Sequence, residues 1–189
     1  MNWEALSAIG TLLAVVLALG LALYAEMQNA WGGRKKAGLV AARLLESVQL
    51  LREEVRYQMA VFAFYEDEQD GNQTNFGDRA LTLRRLVEPI SLEYIYALEP
   101  LPGNCANRLA MALGIVDALG REIEYAKSQQ PWTQMSPQRR IHLTKRWMSL
   151  SSSAVDYLAL VQSELESAAG IAAPRPSPEE IHGPQFDDD

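Results

Sequence analysis

Cysteine and histidine are scarce in this chain of 189 residues, and no lysine or arginine precedes Arg34. The single cysteine, Cys105, excludes an internal disulfide and fits a reducing compartment. The two histidines, His142 and His182, are far apart, and the Glu-x-x-His pairs that bind metals in helical bundles do not occur. Alternation of apolar and polar residues, the pattern of a strand, is also missing. The sequence therefore predicts an all-α protein, and we expect no metal ion or cofactor.

The groups needed for catalysis are missing as well. Cys105 lies in an apolar helical seam, where a free cysteine usually serves as a small buried side chain. His142 stands among basic residues, with no acidic motif that would orient it as a base. The net charge of −7 does not favour nucleic-acid binding. We therefore expect neither an enzyme nor a nucleic-acid-binding protein.

The longest apolar stretch runs from Ala5 to Tyr24 and carries no charge. It has about 20 residues, the number that a helix needs to cross the hydrocarbon core of a bilayer. A buried core helix would be shorter or would have a polar face. A cleaved signal peptide would begin with basic residues and have a shorter apolar run. The stretch predicts a single transmembrane helix.

The orientation of this helix follows from the charges beside it. Arg34, Lys35 and Lys36 follow the span, whereas no basic side chain precedes it. Basic residues in short flanking segments stay on the cytoplasmic side. We therefore expect the N-terminus outside, and the rest of the chain in the cytoplasm.

The opening segment N-W-E-A-L-S-A-I-G, followed by an apolar run, resembles the start of a large set of uncharacterised bacterial single-pass membrane proteins with helical cytoplasmic domains. The similarity covers about the first 25 residues. It implies a bacterial inner-membrane location and says nothing about activity.

The chain divides into three parts. Residues 1–33 form the anchor and a hinge at Gly32–Gly33, where a bent but continuous helix is the alternative. Residues 34–170 carry apolar side chains at steps of three and four, which predicts an antiparallel four-helix bundle. One of its helices is broken at Pro89. Residues 171–189 are acidic and rich in proline, which predicts a disordered tail.

The predicted helices have recognisable starts and ends. We expect them over residues 34–65, 78–98 with the break, 104–128 and 136–169. Asp78, Ser91 and Ser136 are the expected N-caps, and Pro137 suits a first helical turn. Gly170 is the expected stop of the last helix.

Two surfaces stand out as possible binding sites. Arg139, Arg140, Lys145 and Arg146 form a basic patch for an acidic partner, although a solvated helix face gives the same pattern. Within the span, small residues recur every four positions and predict a face that pairs with another membrane helix. These small residues are Gly10, Ala14, Ala18 and Ala22.

The function predicted from these features is a membrane-anchored helical interaction or scaffold protein. Its partners would be the lipid bilayer, through one helix, and a protein partner or a second copy of the chain. The alternative is a membrane-tethered regulator that senses a ligand or stress through its helices.

Overall fold

The computed structural model describes residues 3–67 and 76–172, with the backbone alone described at 3–14, 29–30, 64–67, 76–79, 133 and 171–172. The described residues are helical apart from short turns, which confirms the all-α prediction. The helices are α1 (Trp3–Asp67), α2 (Phe76–Val87), α3 (Leu92–Ala97), α4 (Cys105–Gln129) and α5 (Pro137–Ala172), with a 3-10 turn at Trp132–Gln134. The predicted tail, residues 171–189, begins too early, because residues 171–172 belong to α5, and its residues 173–189 lie outside the described residues.

The longest helix, α1, has 65 residues and passes without interruption through Gly32 and Gly33. The prediction of a hinge at these glycines is therefore wrong, and the alternative prediction of a continuous helix is correct. Each glycine in a helix interior costs only about 1 kcal/mol relative to alanine. That cost is small beside the packing of the second half of α1, which begins at the fully buried Ala37.

The second half of α1 packs on α5 in an antiparallel arrangement. Near the start of α5, the rings of Phe62 and Trp147 are in contact. Further along, Arg52 Nη1 donates to Gln162 Oε1 at 2.8 Å. The buried positions of α1 alternate steps of four and three, the spacing of a heptad seam. These positions are Ala37, Ala41, Leu44, Val48, Leu51, Val55, Gln58 and Phe62.

The seams of α4 and α5 show the same spacing. In α4 the apolar seam expected around Cys105 is confirmed, and the residues at this spacing are all buried: Cys105, Leu109, Ala112, Val116, Leu119, Ile123 and Ala126. In α5 the buried positions include Thr144, Trp147, Ser151, Ala154, Leu158, Val161 and Leu165. α4 packs on α5 and on α2, while the short α3 contacts both α1 and α4.

The break at Pro89 is confirmed, since a turn at residues 88–90 separates α2 from α3. Ser91 precedes α3, but its hydroxyl makes no capping hydrogen bond. The predicted cap at Asp78 is wrong, because α2 begins two residues earlier, at Phe76. Ser136 does cap α5, since its Oγ accepts the Arg139 N–H at 3.4 Å. α5 continues past Gly170 to Ala172 because a glycine weakens a helix without necessarily ending it.

Within the residues that the structure describes, no helix is long and apolar enough to span a membrane. Of the predicted span, residues 5–14 lie outside the residues whose side chains are described. The side chains of residues 15–28 are all exposed. The first half of α1 therefore projects from the packed region, which is formed by the second half of α1 and by α2–α5.

Candidate interaction surfaces

The first surface lies between α4 and α5, near the start of α5. Of the four residues of the predicted basic patch, only Arg139 and Arg146 line this groove of about 450 Å³. They are seven residues apart and thus on one face of the helix. From α4 the groove receives Arg121, Glu122 and Tyr125. Tyr125 is 65% exposed, so its ring is open to a partner.

Glu122 neutralises much of the positive charge in this groove. The Arg146 guanidinium donates through Nε and Nη2 to the Glu122 carboxylate, at 2.8 and 2.6 Å. This bidentate hydrogen bond raises the pKa of Arg146 above its already high value. Arg121 is likewise paired, with Asp117 at 2.9 Å. The groove therefore has less free positive charge than the sequence of α5 predicts.

Arg140 and Lys145 do not share this groove. Arg140 is half-buried, and its carbonyl accepts the hydroxyl of the buried Thr144 at 3.0 Å. Lys145 is exposed on α5 and is turned away from Arg139 by the helical rotation between them. The structure thus separates the predicted patch into two residues that line the groove, Arg139 and Arg146, and two that lie outside it. Sequence reasoning missed Glu122 because it is far from the basic segment along the chain.

The predicted helix-pairing face falls partly outside the described side chains. Nothing is described for Gly10 and Ala14 beyond the backbone. Ala18 and Ala22 are exposed, as are all their described neighbours on this part of α1. The apolar side chains around them are more than half exposed, and the exposed fraction reaches 68% at Leu21.

A second groove, which the sequence did not predict, lies at the opposite end of the packed region. It has a volume of about 850 Å³ and opens between α1, the α3–α4 connection and the last turns of α5. Trp31, Arg34 and Lys35 of α1 line one side, at helical spacing i, i+3 and i+4. Pro100 and Pro102 lie opposite. We call this site the α1 groove.

Cys105 lies close to the α1 groove but has no access to it as a nucleophile. Its side chain is fully buried at the start of α4. Burial, with a smaller effect from the Glu164 carboxylate, raises the pKa of the Cys105 thiol to about 11, against a lowering effect of Arg108. The thiol is therefore protonated at neutral pH, which agrees with a structural role.

Among the described side chains, the buried polar atoms without a hydrogen-bond partner include one on the seam of α1 and one on the seam of α5. Gln58 donates from Nε2 to Glu54 Oε1 at 2.5 Å, but its Oε1 is buried without a donor. The Ser151 hydroxyl is also buried and unpaired. Residues 58 and 151 lie one turn from the Phe62–Trp147 contact, on facing seams. Together with Thr144 they are the buried polar side chains of a largely apolar core, and we call residues 58 and 151 the Gln58–Ser151 layer.

No group of three or more His, Cys, Asp or Glu side chains could hold a metal ion among the side chains that the structure describes. No protein-family model matches the chain, and no curated protein or solved structure is detectably similar to it. The surfaces described above are therefore the basis for a functional proposal.

Proposed function

We propose that this chain is a membrane-anchored helical interaction or scaffold protein of a bacterial inner membrane. The single observation that carries the proposal is the exposure of an apolar stretch in the first half of α1, over residues 15–23. Its side chains from Val15 to Leu23 include six large aliphatic groups, each more than half exposed. They are Val15, Val16, Leu17, Leu19, Leu21 and Leu23.

Water is a poor solvent for such a surface. Burying one valine or leucine side chain stabilises a protein by about 1.5–3 kcal/mol, so six exposed ones favour a covering layer. A lipid bilayer covers every face of a helix at once, whereas a single protein partner covers one face. Exposure on all faces of residues 15–23 therefore favours lipid.

The charges beside the apolar stretch indicate how the helix is oriented in the membrane. Arg34, Lys35 and Lys36 are all exposed, and they come shortly after its end. By the preference of basic flanks for the cytoplasm, the packed helices would lie in the cytoplasm and the N-terminus outside. Trp31, with 71% of its surface exposed, would suit the membrane–water interface.

In this proposal the packed helices form an antiparallel four-helix bundle. Its members would be the second half of α1, the broken pair α2–α3, α4 and α5. The heptad spacing of the three long seams supports this arrangement, since such seams bury their side chains between neighbouring helices. The bundle would hold the partner-binding surface at a fixed distance from the lipid.

The basic side of the α4–α5 groove would be the surface for a protein partner. It lies at the level of Phe62, because Phe62 contacts Trp147 one residue from Arg146. From Arg34 to Phe62 the helix rises roughly 40 Å. Lipid attraction fades within about 10 Å at physiological salt. A cytoplasmic partner is therefore favoured over lipid at Arg139.

Membrane extraction tests the anchor. Full-length chain with Val15→Lys and Leu17→Lys should move from the carbonate-resistant membrane fraction to the supernatant. Each lysine near the middle of a span costs about 2.5–3.5 kcal/mol on the insertion scale. Leu160→Lys on α5, where the leucine is 49% exposed, is the control and should stay with the membrane. Extraction of the unaltered chain by carbonate would overturn the anchor.

Reporter fusions test the orientation. A C-terminal reporter that is active only in the cytoplasm should work, and one active only outside should be silent. The reverse pattern would refute both the orientation and the reducing environment expected for Cys105.

The second candidate function is a membrane-tethered regulator that senses a ligand or stress through the bundle. The Gln58–Ser151 layer favours it, because each buried unpaired polar group costs about 1–3 kcal/mol and so brings alternative packings closer in free energy. A ligand-dependent rise in the melting temperature that Gln58→Leu abolishes would support the regulator. A partner crosslinked at Arg139 under all conditions would support the scaffold.

A further inference from the structure

The α1 groove lies beside the N-terminal end of the buried seam of α1. Going back from Ala37 by the spacing of the seam, the next facing position is Arg34. An arginine there cannot be buried against α5 without leaving a charge unpaired, at a cost of several kcal/mol. The helices therefore remain apart at this level, and a groove of about 850 Å³ opens between them.

The lining of this groove combines cations with apolar surface. Arg34 and Lys35 supply two positive charges, and Trp31 and Pro100 supply flat apolar faces. Among the described residues that line the groove, Glu164 is the one acidic group, and it has its own cation, since Arg108 lies 3.8 Å from it. Two cations are thus left for an anionic ligand.

The distance between the groove and the proposed membrane span indicates which anion the groove would meet. On the proposed anchor, Trp31 lies roughly 10 Å and Arg34 roughly 15 Å beyond Tyr24 along the helix. The headgroup layer extends roughly 5–7 Å beyond the hydrocarbon core, and long basic side chains reach back toward it. Trp31 therefore lies close to the outer limit of the headgroup layer, and the side chains of Arg34 and Lys35 reach back from the groove toward the lipid phosphates.

We propose that the α1 groove binds the phosphate-bearing headgroup of an anionic membrane lipid. Arg34 and Lys35 contact the phosphate, and Trp31 and Pro100 contact the apolar part of the headgroup region. This proposal rests on the anchor proposed above. The bound lipid would fix the packed helices against the membrane surface.

Native mass spectrometry of the full-length chain tests this binding. The chain is released from micelles doped with equal amounts of phosphatidylglycerol and phosphatidylcholine of the same acyl chains. The unaltered chain should retain phosphatidylglycerol about 30-fold more often, since each of the two cations contributes about 1 kcal/mol near a headgroup surface and about 1.4 kcal/mol corresponds to a factor of ten. The double variant Arg34→Gln, Lys35→Gln should retain both lipids equally.

The matched control removes two cations at the other end of the packed region, with Arg139→Gln and Arg140→Gln, and should keep the preference. An equal loss in both double variants would show attraction by net charge alone and overturn the proposal. Displacement of the lipid by an equal amount of glycerol phosphate would make the groove a site for a soluble anion and would also overturn it.

The acidic tail of the chain is another possible occupant, because α5 ends close to the groove. If the unaltered chain shows no preference and deletion of residues 173–189 creates one, the tail fills the groove and the proposal is wrong for the full chain. Carbonate extraction tests the membrane anchor independently of lipid binding. If the chain resists extraction but shows no lipid preference, lipid binding in the α1 groove is refuted and the anchor is not.

Discussion

Phe62 of α1 and Trp147 of α5 pack with their ring centroids 5.4 Å apart and their planes inclined by 52°. Trp132, from the turn before α5, stacks on Trp147 with centroids 5.9 Å apart. This cluster joins the end of α1 to the start of α5 and closes the packed region opposite the α1 groove. Inclined and stacked aromatic pairs add about 0.5–1.5 kcal/mol to the burial of their area.

Trp147→Ala should therefore lower the free energy of unfolding by about 3–5 kcal/mol, the usual loss for a large buried aromatic. Urea denaturation of the full chain in a mild detergent, followed by circular dichroism, measures the change. Trp31→Ala is the control, since that ring is 71% exposed and its loss should change stability by about 0.5 kcal/mol at most. Equal effects of the two changes would contradict the burial of Trp147.

Leu119 and Leu158 are fully buried in the seams of α4 and α5, as the heptad spacing predicts. Changing either leucine to Ala should lower the free energy of unfolding by about 2–5 kcal/mol. The lost transfer free energy of the side chain adds to the cost of the cavity that it leaves. Met111→Ala and Leu160→Ala on the outer faces of the same helices, about half exposed, are the controls. If the seam variants unfold at the same urea concentration as the controls, the seam is misassigned.

Gly32→Ala should stabilise the chain by about 0.5–1 kcal/mol, because α1 is continuous there and alanine restricts the unfolded chain. A Cβ at Gly32 would meet no atom within 4 Å. Gly103→Ala is the opposite case, since φ is +70° and the new Cβ would collide with the Glu164 carboxylate. It should destabilise by about 1 kcal/mol or more. A destabilising Gly32→Ala would indicate a hinge in solution.

The Cys105 thiol should react slowly with a thiol reagent at neutral pH, because burial raises its pKa to about 11 from its ordinary value of 9.0. The unfolded chain ionises first as the pH rises. The contribution of Cys105 to stability is therefore complete below about pH 9 and lost as the pH rises to about 11. Replacing Cys105 with Ala should remove this part of the decrease in the free energy of unfolding at high pH. Rapid labelling of the folded chain at pH 7 would contradict the burial.

Ser151→Ala should leave stability unchanged or raise it by up to about 1 kcal/mol, because it removes a buried hydroxyl that has no partner. Thr144→Val is the matched comparison on the same seam. It removes hydroxyl hydrogen bonds to the carbonyls of Arg140 and Ile141, both at 3.0 Å, and should cost about 1 kcal/mol. If Ser151→Ala proves the more costly change, its hydroxyl has a partner in solution.

The amino-acid sequence by itself determined the helical class, the break at Pro89 and the seam of α4. These features are local: proline removes a backbone donor, and apolar side chains at steps of three and four mark one face of a helix. The cap at Ser136 is local too, since it needs only a hydroxyl beside the first turn.

Only the tertiary structure decided the continuity of α1 through Gly32–Gly33, the pairing of Arg146 with Glu122 and the existence of the α1 groove. The glycines lower helix stability locally, but the packing of α1 beyond Ala37 outweighs that loss. Arg146 and Glu122 lie on different helices, and the walls of the groove come from three separate segments of the chain. Contacts between distant segments follow from how helices pack together, which the local spacing of residues does not encode.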